Sequence, residues 1–217
     1  AERVTQAQHL INIAKEEGAT MIGHGSTGAG NDQFRFDTYL LAMDPSIDIV
    51  TPTRDQQKTR KQEEQYLKEK GIPVQAKTAS YSFNIGLLGN SIGGVETNDT
   101  KDPLPDDAYP TVVSPRKAPD EPVTISITFK HGLPVALNAE SMDPVVLWKQ
   151  LTKMGAQNGV GRGMYVGDTT LGTKGRIGYE APAATIVREA HQAIESIVLT
   201  SRQQQLAQYY SQMYSDL

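Results

Sequence analysis

Gly23-His24-Gly25-Ser26-Thr27-Gly28-Ala29-Gly30-Asn31-Asp32-Gln33-Phe34-Arg35-Phe36-Asp37 decides the fold. Ala19 to Ile22, just before it, reads as a short buried strand. Asn31 to Met43 reads as a helix that Asp44-Pro45 stops. A strand that feeds a glycine-rich turn, which then feeds a helix, is the opening of an α/β unit. Glycines let the backbone approach a ligand closely. The unpaired N–H groups of the helix start favour an anion. Asn31 and Arg35 stand at i and i+4, so both can face one ligand. Asp32 suits an ammonium, and the planar fork of Arg35 suits a carboxylate. Together these residues suit a zwitterionic amino acid. Turn chemistry alone fits a plain strand–helix connection capped by Asn31 equally well.

Gly23-x-Gly25-x-x-Gly28 also matches the dinucleotide fingerprint, a weak signal by itself. That fingerprint needs an acidic residue at the end of the next strand, about twenty residues on. The acids available are Asp44, before that strand, and Asp48, in its middle. A nicotinamide enzyme is therefore discounted.

Upstream, Val4, Ala7, Leu10, Ile11 and Ala14 recur at helical spacing, and Gly18 is placed to end that helix. Downstream, Ile47 to Val50 is a second short strand. Thr59 and Gln62 have capping-box spacing for a polar helix that ends at Gly71, and Ile72-Pro73-Val74 is extended. The charged run from Arg54 to Lys70 reads as a solvated helix face. The character changes near residue 78. Residues 97–122 are rich in Pro and Asp and irregular. Val123, Ile125, Ile127 and Phe129 alternate as a half-buried strand, and His131-Gly132 turns it into a second strand, Leu133 to Leu137. Asp143 and Pro144 are an N-cap and a first helical residue, for a helix to about Met154. Residues 155–178 hold eight glycines and read as hairpin turns, with Arg162, Lys174 and Arg176 solvated among them. Pro182 to Leu199 and Arg202 to Tyr214 read as helices. Tyr209, Tyr210 and Tyr214 suit either a subunit contact or packing on their own domain. The expected fold class is α/β: an incomplete parallel-sheet nucleotide-binding domain, then an α+β domain.

Composition narrows the function. A net charge of −4 over 217 residues argues against a general nucleic-acid binder. No apolar run approaches the ~20 residues that span a bilayer. The sequence has no Cys, which fits a reducing compartment and a cytoplasmic location. His24 reads as a hydrogen-bonded structural residue rather than a general base.

From His24 to Phe36 the loop resembles the argininosuccinate synthase pattern His-Gly-Cys-Thr-Gly-Lys-Gly-Asn-Asp-Gln-x-Arg-Phe, with Ser26 for Cys and Ala29 for Lys. The resemblance runs on through Tyr81-Ser82, Gly89-Asn90-Ser91 and Asp107-Ala108-Tyr109-Pro110. It continues through Ser114-Pro115, Ala118 to Pro122, Gly132 to Asn138, Gly159 to Arg162 and Tyr179 to Thr185. It implies an ATP-dependent ligase that joins L-citrulline to L-aspartate, with Mg²⁺ assisting and a homotetramer as the whole assembly. It implies that Gly25 touches ATP, and that Thr27, Asn31 and Asp32 hold aspartate. Asn31, Arg35, Ser82, Ser91 and Tyr179 would hold citrulline. The family has a citrulline-contacting Glu twelve residues before that Tyr. This sequence has Gly167 there, so Asp168 is put forward in its place. It further implies three segments: 1–78 as the later part of the nucleotide-binding domain, 79–199 as the synthetase domain, and 200–217 as the start of an oligomerisation helix.

The family's Ser-Gly-Gly-x-Asp-Thr-Ser pyrophosphatase loop does not occur among these 217 residues. The chain alone is therefore expected to be inactive, with the apolar stripe of its first helix exposed. The alternative is an amino-acid-binding or regulatory module without ATP chemistry.

Overall fold

The computed structural model describes residues 2–28, 31–56, 60–73, 81–168 and 174–215. They divide into two compact units, Ala1–Ala79 with Gly167–Gly175, and Ser80–Val166 with Arg176–Leu217.

In the first unit, α1 (Glu2–Glu17) precedes β1 (Met21–Gly23), α2 (Asn31–Met43), β2 (Asp48–Val50), α3 (Pro52–Gln56) and α4 (Arg60–Glu69). β1 and β2 pair in parallel, with Met21 opposite Asp48 and Gly23 opposite Val50. Parallel pairing needs a crossover, and α2 supplies it. The periodic residues of α1 do what their spacing predicts. Ala7, Ile11 and Ala14 are buried and share a core with Ile22, Leu40 and Ile47. The stripe expected to lie open is thus largely covered by α2 and β1, with Val4 left exposed. Gly18 and Gly71 both adopt positive φ after their helices, as helix-terminating glycines do. The capping-box residue Thr59 and the extended Val74 lie outside the described residues.

Among its described residues the second unit holds two antiparallel sheets, three α-helices and three short 3₁₀ helices (Val95–Asn98, Asp106–Ala108 and Pro115–Lys117); Gly167, Asp168, Lys174 and Gly175, at strand ends, are grouped with the first unit. β3 (Ser82–Ile85), β4 (Asn90–Gly93), β9 (Lys174–Glu180) and β8 (Arg162–Asp168) form one sheet in the order β3-β4-β9-β8. β5 (Ile127–Lys130), β6 (Leu133–Leu137) and β7 (Glu140–Ser141) form the other. α5 (Pro144–Gln157) packs on α6 (Pro182–Val198), and α7 (Ser201–Ser215) follows. Asp143 caps α5 as expected, its Oδ1 accepting from the N–H groups of Val145 at 2.9 Å and Val146 at 3.2 Å. Leu147 and Leu151 on α5 are fully buried with Leu137 and Ala183.

Three expectations change. The strand expected from Val123 begins only at Ile127, because its partner β6 ends at Leu137, opposite Ile127. Asn138 and Ala139 then turn away with positive φ: the Ser126 carbonyl still accepts from the Asn138 N–H at 2.8 Å, but the Ser126 N–H turns to the Asn138 side-chain oxygen at 2.9 Å, which closes the ladder. The described residues of the glycine-rich stretch 155–178 are the end of α5, a turn and two strands, rather than a series of turns. Several of its glycines sit where a neighbour presses on the backbone: the Tyr179 ring at Gly163, Leu104 at Gly178. The irregular segment 97–122 contributes core, with Leu104, Ala108 and Val112 buried. Tyr209, Tyr210 and Tyr214 on α7 are more than 60% exposed, so they do not pack on their own unit.

Candidate functional site

In the first unit the glycine loop leaves the C-terminal end of β1, and α3 leaves the C-terminal end of β2. Parallel pairing therefore puts the two connections side by side, where α/β sheets bind ligands. One further rung, His24 N–H to Val50 O at 3.0 Å, carries the pairing into the loop. Asp48, the acid the dinucleotide fingerprint would have used, is the first residue of β2, at the opposite end from the loop. That placement agrees with discounting a nicotinamide site.

The loop is held by a network that sequence reasoning did not find. His24 donates from Nε2 to Asp37 Oδ1 at 2.8 Å, while its Nδ1 accepts from the Ser26 N–H at 3.3 Å. Those two bonds fix the tautomer. Both ring nitrogens are engaged, and the ring stacks on Phe36 with centroids 5.4 Å apart, so His24 is structural. Asp37 Oδ2 accepts from Arg54 Nη1 at 2.6 Å, and the same nitrogen reaches Gln33 Oε1 at 3.2 Å. Gln33 in turn donates to the Gly28 carbonyl at 2.7 Å. Arg54 is therefore a tie between α3 and α2, not part of a solvated face. Burial raises the pKa of Asp37, but the bonds and charges of Arg54 and His24 outweigh it and hold the carboxyl below its ordinary value. The available signal was position: Arg54 follows the end of one parallel strand as the loop follows the end of the other.

Asn31, Asp32 and Arg35 lie on the first turn of α2, as expected. Asp32 meets two guanidinium groups, Arg3 Nε at 3.2 Å and Arg35 Nη1 at 3.6 Å. An ammonium at Asp32 would share the carboxylate with them. The Arg35 side chain is half exposed. Gly25 and Thr27 are exposed.

In the second unit, strand register gathers the other candidates. Ser91 lies opposite Tyr179 on one side and Asn84 on the other, and Ser82 lies opposite Gly93. Side chains alternate along strands, so Ser82, Asn84, Ser91 and Tyr179 share one face. Asn84 was not anticipated; its Nδ2 reaches Ser91 Oγ at 3.4 Å. A Cβ at Gly163 would stand 3.0 Å from the Tyr179 hydroxyl, so the bare glycine makes room for the ring. The reverse face carries Phe83 and Ile92 into a core with Leu104 and Ala108. Asp168 ends β8, and its side chain lies outside the described residues.

Two basic residues expected to be solvated are tied down. Arg162 ion-pairs with Asp106, lies 4.4 Å over the Tyr109 ring and is 11% exposed. Its hydrogen bond, followed by that of Ser114, holds the Asp106 carboxyl below its ordinary value. Arg176 donates to the carbonyls of Glu96 and Asp102, at 3.2 Å each. Among the described residues no helix is long and apolar enough to cross a membrane.

Residues 2–73 match the model of the arginosuccinate synthase N-terminal HUP domain, and residues 81–217 match that of the arginosuccinate synthase C-terminal domain. The chain is 37% identical to the argininosuccinate synthase of Methanocaldococcus jannaschii over 97% of its own length and 53% of the relative's. It is 42% identical to that of Lacticaseibacillus paracasei over 88% and 48%. It is 39% identical to that of Pyrobaculum aerophilum over 94% and 51%. The chain thus spans about half the length of the curated relatives it matches. The chain belongs to the argininosuccinate synthase family.

Proposed function

We propose that this chain carries the amino-acid-binding part of an ATP-dependent carbon–nitrogen ligase that makes argininosuccinate. The observation that carries the reading is the first turn of α2, which presents Asn31, Asp32 and Arg35 beside a glycine loop at the C-terminal end of parallel strands. Thr27, Asn31 and Asp32 hold aspartate. Asn31, Arg35, Ser82, Ser91 and Tyr179 hold citrulline, with Asp168 in place of the missing Glu. Gly25 lies against ATP. The ureido oxygen of citrulline attacks the α-phosphorus and pyrophosphate leaves. The aspartate amine then attacks the ureido carbon of the citrullyl-adenylate and AMP leaves. The protein's part is proximity and charge stabilisation. Arg35 grips a carboxylate with two parallel N–H groups. Among the described residues no group of three or more His, Asp or Glu could hold a metal ion, and the reading gives Mg²⁺ no protein ligand.

The whole enzyme is taken to be a cytoplasmic homotetramer, with residues 1–78, 79–199 and 200–217 as nucleotide-binding, synthetase and oligomerisation segments. The 217-residue chain alone makes no argininosuccinate, since it contains no Ser-Gly-Gly-x-Asp-Thr-Ser cradle for the β- and γ-phosphates.

Calorimetric titration of the chain with L-citrulline and L-aspartate, beside a coupled pyrophosphate-release assay, tests both statements. Binding without turnover is expected. Arg35→Lys, which replaces a planar fork by a point charge, raises the citrulline Kd about tenfold. Unchanged citrulline binding removes Arg35 from the site, and turnover by the pure chain overturns the claim of inactivity. Binding that persists in the full-length parent without any ATP chemistry favours a regulatory module instead.

A further inference from the structure

We propose that Glu180 is a positioning residue: its buried carboxylate sets the placement of Tyr179 and Ser91 for citrulline. The inference rests on the reading of that sheet face as the citrulline side of the site.

Glu180 is 1% exposed. A carboxylate is stable at that depth only when its oxygens are met by donors. Three N–H groups meet it. Oε1 accepts from the backbone of Thr111 at 2.9 Å and of Val112 at 2.7 Å, and Oε2 accepts from Asn90 Nδ2 at 2.8 Å. Asn90 also donates to Thr111 Oγ1 at 3.2 Å, which closes the group.

Its place in the sheet gives this group leverage. Asn90 and Glu180 are directly paired across β4 and β9, and the next pair is Ser91 with Tyr179. Alternation puts the first pair on the buried face and the second on the polar face. A bond on the back thus fixes the register of two side chains on the front, and a one-residue slip would exchange them. Gly89 shows how close the strands come: a Cβ there would stand 2.6 Å from the Glu180 carbonyl oxygen.

A second route reaches the same ring. The segment gripped at Thr111 and Val112 also carries Tyr109, whose hydroxyl donates to the Gly163 carbonyl at 3.3 Å. Gly163 lies beneath the Tyr179 ring. Glu180 therefore holds β9 from behind while the segment it anchors holds the neighbouring strand under Tyr179. A carboxylate serving the core alone would need no such connection to both.

The test uses the 217-residue chain and three variants. Glu180→Asp keeps the charge but is one methylene too short to reach all three donors. Glu180→Gln keeps the reach; its Oε1 still accepts from Thr111 and Val112, and Asn90 can flip its amide to receive Nε2. Citrulline and aspartate affinities are measured by calorimetry, with ring-proton signals of Tyr179 recorded without ligand. Expected results are an approximately tenfold loss of citrulline affinity in Glu180→Asp and less than about threefold in Glu180→Gln, with aspartate affinity unchanged in both. A purely structural residue would weaken both ligands together, and that result overturns the proposal. So does a folded Glu180→Asp chain with wild-type citrulline affinity. Should Glu180→Asp fail to fold, Asn90→Ala removes a single bond of the group and decides the question by the same criteria. If the wild-type chain binds no citrulline, the functional reading of this face fails. The positioning claim is then judged on the Tyr179 signals, which must move in Glu180→Asp and not in Glu180→Gln.

Discussion

Replacing Asp37 by Asn removes the anion at the centre of the loop network while leaving its shape. In the wild type the two carboxylate oxygens take one N–H each, from Arg54 at 2.6 Å and from His24 at 2.8 Å. An Asn amide offers one acceptor and one NH₂, so one of the two donors is left facing another donor. His24 can escape by changing tautomer only if its Nδ1 then points a proton at the Ser26 N–H. The surviving bond loses its anionic acceptor, and the other donor loses its partner. Bonds to charged groups contribute about 1.5–3 kcal/mol, so a net loss of about 2 kcal/mol is expected. For a chain of this size that lowers Tm by about 4–8 °C. The pH dependence follows from the depressed carboxyl. Its folded-state pKa lies below the ordinary 3.8, so its stabilisation is complete above that value and disappears as pH falls through the folded pKa. Thermal unfolding followed by circular dichroism from pH 7 down to about 3 should show a gap between wild type and Asp37→Asn that is largest near neutrality and closes in acid. A Tm difference under about 1 °C at pH 7, or a gap that persists unchanged below pH 3.8, would refute this account of the network.

Gly161→Ala should cost about 1–3 kcal/mol, since φ is +85° and the added Cβ would stand 2.5 Å from Pro182 Cα at the start of α6; denaturant unfolding checks it, and a neutral result would mean that α6 can shift. Asp143→Ala should remove about 1 kcal/mol by freeing the amides of Val145 and Val146, seen as faster hydrogen exchange in the first turn of α5.

Local chemistry made much of this molecule legible. The helix α1 could be read because Ala7, Ile11 and Ala14 repeat at the helical period and one face is all that period specifies. The Asp143-Pro144 start of α5 and the terminating Gly18 and Gly71 could be read because a cap or a positive φ depends on residues next to one another. The glycine loop with Asn31, Asp32 and Arg35 could be located for the same reason. What each glycine of 155–178 is for could not be read. A glycine that turns and a glycine that makes room for Tyr179 or Leu104 look alike until the neighbour, which comes from elsewhere in the chain, is in place.

The sequence by itself determined the longer helices α1, α2, α4, α5, α6 and α7 and where the anion-favouring loop lies, because those depend on interactions within a few residues. Only the tertiary structure decided what the charged residues do. Arg54 meets Asp37 across 17 residues, Arg162 meets Asp106 across 56, and Glu180 meets Asn90 across 90. The partners of Arg54 and Glu180 are chosen by parallel pairing of β1 with β2 and by antiparallel register of β4 with β9, and no local pattern encodes register. A charge in a sequence reads as solvated by default, since that is its lowest-cost state without a partner; the fold brings the partner, and with it the reason for the charge to be buried.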